Sequence, residues 1–355
     1  MTDASTDEPE VLVEQRGQLG LLTLNRPRAI NALTHDMVRV LSETLTRWRD
    51  DDTVARVAIT GAGDRGLCAG GDVVSLYQSA TTGDLAGPAD FWRDEYRMNA
   101  LIARYPKPVV AIQDGLVLGG GIGVSAHASH RVVTERSRLG FPETTIGFVP
   151  DVGATWLLSR APGGSGIRLG LTAEHIGAAD AIHIGFSDVF VPSDRLPALL
   201  SGLESEEPAA ALAMLAQDAG PSPLAAEMTE QADAFAQPTV ARIVDALRQH
   251  GGSAVADRIL SKSPLALAVT LEALRRALSL EDLEDALAQE FIVSMNALRA
   301  PDFAEGVRAQ LVDKDRNPRW QPAALAGVTL AEVEAFFVPG PAGTLALRTP
   351  SKETA

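Results

Sequence analysis

Two glycine-rich turns constrain this chain more than any other feature of it. Cys68-Ala69-Gly70-Gly71-Asp72 follows the apolar run Val54 to Thr60, and Leu118-Gly119-Gly120-Gly121-Ile122-Gly123 follows Pro108 to Gln113. Each turn leads into a helical pattern. A strand that ends in glycines and gives way to a helix is a unit of α/β architecture. It also has a chemical consequence. Glycine lets a ligand approach the backbone closely, and the first amides of a helix have no intrahelical acceptor and carry partial positive charge. Two such amides converging on one point would hold an oxyanion, at roughly 3–4 kcal/mol per donor.

The rest of the first half fits the same plan. Val11 to Glu14 and Leu19 to Leu24 predict two strands around Arg16-Gly17-Gln18, a hairpin. Thr34 is placed to cap a helix running to about Arg49, with Met37, Val38, Leu41, Leu45 and Trp48 at helical spacing. A polar loop is expected from Thr81 to Pro88, then a long helix from Ala89 to Arg104. Arg131 to Thr134, Arg138 to Phe141 and Asp188 to Val191 predict short strands, and Thr155 to Ser159 a helix. Strand, strand, helix thus recurs to about residue 190. After Pro192 the chain becomes Ala- and Leu-rich and helical, with Leu265 to Leu278 and Leu283 to Leu298 the strongest amphipathic patterns. The expected division is a polar, disordered stretch over 1–10, an α/β core of stacked ββα turns over 11–195, a helical region over 196–340 and a loose tail over 341–355.

Charge and cysteine content exclude several functions. A net charge of −15 over 355 residues argues against nucleic acid or an anionic membrane as partner. One cysteine, Cys68, cannot form an intramolecular disulfide. No apolar run approaches the roughly 20 residues of a membrane span, and the acidic start lacks the apolar core of a signal peptide. A cytoplasmic protein is expected.

Several motifs have plain explanations. Gly61-Ala62-Gly63-Asp64-Arg65-Gly66 follows a strand and matches a dinucleotide fingerprint, but its glycines do not open a helix directly. Cys68 reads as a small core residue. His127 and His130 lack the spacing that puts two metal ligands on one helix face, so no metal is expected. Neither Ser125 nor Ser165 sits in a G-x-S-x-G turn. Taken singly, Glu143 reads as a solvated carboxylate and Asp151 as a cap for the helix that begins near Gly153. Behind two glycine loops, the proline-flanked Phe141-Pro142-Glu143 and Val149-Pro150-Asp151-Val152-Gly153 become candidate acid–base or nucleophilic groups.

At these residues the chain resembles the crotonase (enoyl-CoA hydratase/isomerase) superfamily. Leu22-Thr23-Leu24-Asn25-Arg26-Pro27 with Asn31-Ala32-Leu33 looks like its first strand and turn, and the two glycine loops look like its oxyanion loops. The resemblance implies a crotonase-like ββα spiral core, donor amides at Gly71 and Gly120, and an acyl-CoA substrate with no cofactor beyond the coenzyme A that substrate carries. A hydratase has its first catalytic glutamate where this chain has Gly123. It has its second at Glu143, and a glycine where this chain has Asp151. That departure argues against water addition. Phe91 to Tyr96, Pro142 to Gly153 and Phe303 to Trp320 resemble the branch of the superfamily that hydrolyses 3-hydroxyisobutyryl-CoA in valine breakdown.

In that branch Glu95, Gly120, Glu143 and Asp151 are expected to meet substrate. Glu143 would be the nucleophile or the base for water. Asp151 would bind the 3-hydroxyl or position water, and Glu95 would shape the acyl pocket. Arg26, Arg28, Arg65 and Ala69 are expected near the coenzyme A. The alternative is a hydratase or isomerase acting on another short acyl-CoA, and a third reading is a catalytically silent binding subunit. Members of the superfamily commonly assemble as trimers or hexamers through C-terminal helices, so the resemblance implies a homo-oligomer; a longer helical region folding over its own site is compatible with a monomer or dimer.

Overall fold

The computed structural model describes residues 8–347. Val11–Arg16 (β1) and Leu19–Leu24 (β2) form the expected hairpin, in register from Val11 opposite Leu24 to Arg16 opposite Leu19. His35–Arg49 (α1) follows, capped by Thr34, whose hydroxyl accepts from the Met37 amide at 3.2 Å. Its five predicted apolar positions are all buried. Arg56–Gly61 (β3) pairs parallel to β2.

Val73–Thr82 (α2) and Ala86–Ala103 (α3) come next. The polar loop expected from Thr81 to Pro88 is therefore only three residues long. Asp84 accepts from the amides of Ala86 and Gly87 and starts α3 early, and Pro88 is tolerated because it falls in the first turn.

From there the chain passes back and forth between two sheets. Val109–Gln113 (β4) pairs with β3, whereas Leu116–Leu118 (β5), two residues later, belongs to a second sheet. After the short helix Gly120–Gly123 (α4), His130–Val133 (β6) returns to β4 and Arg138–Gly140 (β7) pairs with β5. Ala154–Ser159 (α5) and Ser165–Thr172 (α6) lead to His175–Ile176 (β8) beside β7, and Ala178–His183 (α7) leads to Val189–Phe190 (β9) beside β6. The sheets have the orders β1-β2-β3-β4-β6-β9 and β5-β7-β8. The expected stacked ββα spiral is this alternation. Parallel bridges of Cys68 with Val117 and of Leu33 with Gly71 carry the second sheet onward through the first glycine turn. The two glycine turns therefore lie side by side at neighbouring strand ends.

Parallel strands covered on both faces should be apolar throughout, and every residue of β4 is buried. One face of the first sheet packs on α1 and α3. Leu19, Leu21, Ala58, Val110 and Ile112 on the other face pack beneath Leu196–Gly202 (α8) and Pro208–Leu215 (α9). The remaining helices are Pro223–Phe235 (α10), Val240–Gln249 (α11), Ser253–Leu260 (α12), Pro264–Ala277 (α13), Leu283–Arg299 (α14), Pro301–Val307 (α15) and Leu330–Ala335 (α16). Of these, α14 packs on α3 and α5, and α15 on α2, so the C-terminal half closes over the spiral's glycine turns. No described helix is long and apolar enough to cross a membrane.

Both termini are tied down further than their composition suggests. Of the stretch expected to be disordered, residues 1–7 lie outside the described residues. Pro9 and Glu10 are held, by the Asn25 amide and by Arg26 and Thr34. Of the expected tail, 348–355 likewise lie outside them, but Leu345 is buried and Arg93 donates to the Ala342 carbonyl.

Candidate active site

The glycine turns set the geometry. A Cβ on Gly120 would stand 3.3 Å from the Gly71 amide nitrogen and 2.8 Å from Glu95 Oε1, and one on Gly119 would stand 2.6 Å from Glu143 Oε1. Only glycine at these two positions lets the two carboxylates come against the loop backbone. Gly120 is the first residue of α4, so its amide has no acceptor within the helix. Ala69, Gly70, Gly71, Gly119, Gly120, Glu95, Glu143 and Asp151 all line one cavity of about 70 Å³. Phe91, Trp92, Ile146, Phe148 and Phe303 supply its apolar wall. Trp92 stacks on Phe148 at 5.6 Å, and Phe148 meets Phe303 of α15 at 5.5 Å. So small a cavity suits only a small group, since whole-ligand pockets run to roughly 300–1,000 Å³.

Each carboxylate comes from a different element. Glu95 projects from α3. Glu143 opens the 3-10 turn Glu143–Ile146 after β7. Asp151 stands at the turn before α5 and accepts from the Tyr96 hydroxyl at 2.7 Å. Among the described residues, Glu95 Oε1 and Glu143 Oε2 are buried without a hydrogen-bond partner. A buried carboxylate without a cation favours its neutral form. Burial first, and then the Asp151 charge, push both Glu95 and Glu143 well above the usual carboxylate range. Burial raises Asp151 to about 7 against the opposing pull of the Tyr96 hydroxyl.

The turn that presents Asp151 is backbone-strained and heavily braced. Val152 has φ +59°, a conformation rare for a β-branched residue. His127 Nε2 lies 2.8 Å from the Val152 carbonyl. Glu290 of α14 accepts from the amides of Gly153 and Thr155, at 2.6 and 2.7 Å, and from the Thr155 hydroxyl at 2.6 Å. The cap expected of Asp151 is thus supplied by Glu290 from α14, which frees the Asp151 side chain for the cavity. Burial raises Glu290 to about 8, opposed by these three hydrogen bonds.

Gly123 is where a hydratase-like carboxylate would project. A Cβ there would lie 2.7 Å from Val152 Cβ and 3.0 Å from Asn99 Nδ2. The space is filled by the strained valine, so a side chain at residue 123 has no room.

The arginines are less directly placed. Arg26 pairs with Glu10 at 3.1 Å and Asp72 at 3.4 Å and donates to the Ala32 carbonyl. Arg65 donates to the carbonyls of Pro27 and Arg28. Both brace the loops around the first glycine turn, and none of the three arginines lines the cavity; Arg28 is exposed. A wider cavity of about 260 Å³ lies beyond Leu76 and Phe91, which line both spaces.

The residues with plain readings behave structurally. The Gly61–Gly66 loop is pinned by Asn31, whose amide donates to the carbonyls of Ala62 and Gly66 at 3.0 Å. Cys68 is fully buried, and burial pushes its thiol up to about 12. Among the described residues, no three His, Cys, Asp or Glu side chains are grouped to hold a metal ion. Sequence reasoning missed three contributors. Tyr96 sat inside a quoted motif but had no assigned role. Glu290 is one polar residue in a helical repeat. The Val152 strain leaves no mark in composition.

Residues 19–337 match the family model described as enoyl-CoA hydratase/isomerase. The chain is 36% identical to a mitochondrial 3-hydroxyisobutyryl-CoA hydrolase of Rattus norvegicus, over 94% of this chain and 89% of that protein. A crystal structure of a carnitinyl-CoA dehydratase from Mycobacterium thermoresistibile superposes with a TM-score of 0.92 at 50% identity, covering 96% of this chain and 99% of that one. One of an enoyl-CoA hydratase from Rhodobacter sphaeroides superposes at 0.88 with 41% identity, covering 95% and 100%. The relatives thus share one fold while their names describe different reactions.

Proposed function

Since the chain belongs to the enoyl-CoA hydratase/isomerase family, we propose that it is an acyl-CoA thioester hydrolase that cleaves 3-hydroxyisobutyryl-CoA to 3-hydroxyisobutyrate and coenzyme A. One observation carries the choice of reaction. Glu143 and Asp151 share a small cavity with the Gly71 and Gly120 amides, while Val152 fills the space over Gly123. Adding water across a double bond needs a base and an acid set on one water, and the first hydratase carboxylate, at the position of Gly123, has neither a side chain nor room here. The similarity to proteins named as hydrolases points the same way.

In this reading the thioester oxygen faces the Gly71 and Gly120 amides, which hold it as it gains negative charge. Glu143 acts by one of two routes. As nucleophile it attacks the carbonyl carbon, coenzyme A leaves as thiolate, and water cleaves the resulting anhydride. As base it takes a proton from the water that attacks. Asp151 binds the 3-hydroxyl or orients water, and Glu95 closes the acyl end. The chemistry asks for no cofactor.

The test is release of thiol from 3-hydroxyisobutyryl-CoA, followed with a chromogenic thiol reagent, against 3-hydroxypropionyl-CoA and longer acyl-CoAs. Turnover of an enoyl-CoA without thiol release would overturn the assignment in favour of hydration. A single turnover in oxygen-18 water separates the routes: label in Glu143 requires the anhydride.

A further inference from the structure

Tyr96 follows Glu95 on α3 and is completely buried. Its hydroxyl lies 2.7 Å from Asp151 Oδ2 and 3.0 Å from Ser294 Oγ on α14. An ionised carboxylate only accepts hydrogen bonds, so the phenol proton points to Asp151 and the Ser294 hydroxyl donates to the phenol oxygen. The result is a buried chain from the C-terminal helices into the site. We propose that Tyr96 is a positioning residue for Asp151: oriented by Ser294, its phenol fixes the direction of the carboxylate and donates to its ionised form. The inference rests on the reading of Asp151 as a group that meets substrate.

The surroundings give that donor its weight. The titratable groups around Asp151 are Glu95 and Tyr96 of α3, Glu143 after β7, Glu290 of α14, and His127 behind Val152. Three of the five are acids, and burial holds His127 down at about 4, so it stays neutral. Among the described side chains, Tyr96 is the hydrogen-bond donor that reaches the Asp151 carboxylate. Without it, ionised Asp151 would sit buried among acids with no side-chain donor.

Tyr96→Phe removes one oxygen and keeps the ring. The Asp151 titration is to be read by carbon-13 NMR of protein labelled at aspartate Cγ, with Asp151→Asn assigning the signal, and beside it the pH dependence of kcat/KM. The midpoint is expected to rise by about one pH unit, a tenfold gain in proton affinity, and the acid limb of kcat/KM to move with it. Ser294→Ala should move both the same way by less. An unmoved midpoint in folded Tyr96→Phe protein overturns the proposal, because a purely structural tyrosine would cost stability alone. Should Tyr96→Phe not fold, an unmoved midpoint in Ser294→Ala does the same. The NMR titration needs no substrate. A shifted midpoint in a protein that hydrolyses no acyl-CoA would leave Tyr96 in its role and sink the proposed function.

Discussion

Replacing Asp151 with asparagine should abolish activity and stabilise the free protein, by an amount that grows with pH. Asp151 is 6% exposed, and burial lifts it from its ordinary 3.8 to about 7. The folded chain therefore keeps a proton that the unfolded chain releases. Between those values stability falls as pH rises, and above about pH 7 the full penalty is present. At pH 8 a difference of about three units amounts to about 4 kcal/mol, and at pH 5 to about 2 kcal/mol. Asparagine carries none of this, and its carbonyl still accepts from Tyr96. Removing the charge also eases the ionisation of Glu95, Glu143 and Glu290, each raised in part by Asp151, which adds to the gain at high pH. For 355 residues at about 2.1 cal/mol/K per residue, the Asn variant should melt about 5 °C above the wild type at pH 8 and about 3 °C above it at pH 5. Scanning calorimetry at the two pH values measures this directly. A gain that is flat with pH, or a loss at pH 8, would refute the account of Asp151 as a buried acid whose burial outweighs its one side-chain donor.

Other consequences follow from single residues. Glu143→Gln should lower thiol release at least about 100-fold, as loss of a base or nucleophile does, while leaving circular dichroism unchanged; retained turnover would remove Glu143 from the mechanism. Gly123→Ala should destabilise by about 1–3 kcal/mol through overpacking against Val152. Val152→Gly in the same chain should recover part of that loss, and strictly additive denaturation midpoints would show that the two residues do not compete for space. Cys68, buried with its thiol at about 12, should not react with a thiol reagent at pH 8 until the chain is unfolded. Rapid labelling of the native protein would contradict that burial.

Much of the core was legible because its signals are local. The Thr34 cap, the β1–β2 hairpin and the all-apolar strands are written in adjacent residues. The two-sheet alternation was visible only as a strand, strand, helix rhythm. β5 and β8, at three and two residues, are too short to carry a period, and α6 is obscured by Gly166 and Gly170. The site divides along the same line. Glycines and proline-flanked carboxylates announce themselves within a dozen residues. Tyr96, Ser294 and Glu290 act across 55 to 198 positions of chain, and nothing local distinguishes them from ordinary helix residues. The arginines have roles that reach across the chain as well. Sequence proximity to the loops suggests ligand contact, and the structure adds that Arg26 and Arg65 hold those loops.

The strained valine ties these observations into one argument about reaction type. A left-handed β-branched residue costs about 1–3 kcal/mol, and the turn keeps it because His127 and Glu290 hold the two polar ends of the peptide between Val152 and Gly153. The strain does two things at once. It turns Asp151 into the cavity, and it drives the Val152 side chain over Gly123. Restoring a glutamate at 123 alone should therefore not recreate a hydratase site, because Val152 would have to leave and Asp151 would leave with it. On this argument Gly123 and Asp151 are one structural choice rather than two substitutions. Relatives with this fold should then sort by the pair: those with a small residue at the first position and an acid at the second cleave thioesters, whatever reaction their names describe. Thiol release by the two crystallised relatives, set against their residues at these two positions, would test it.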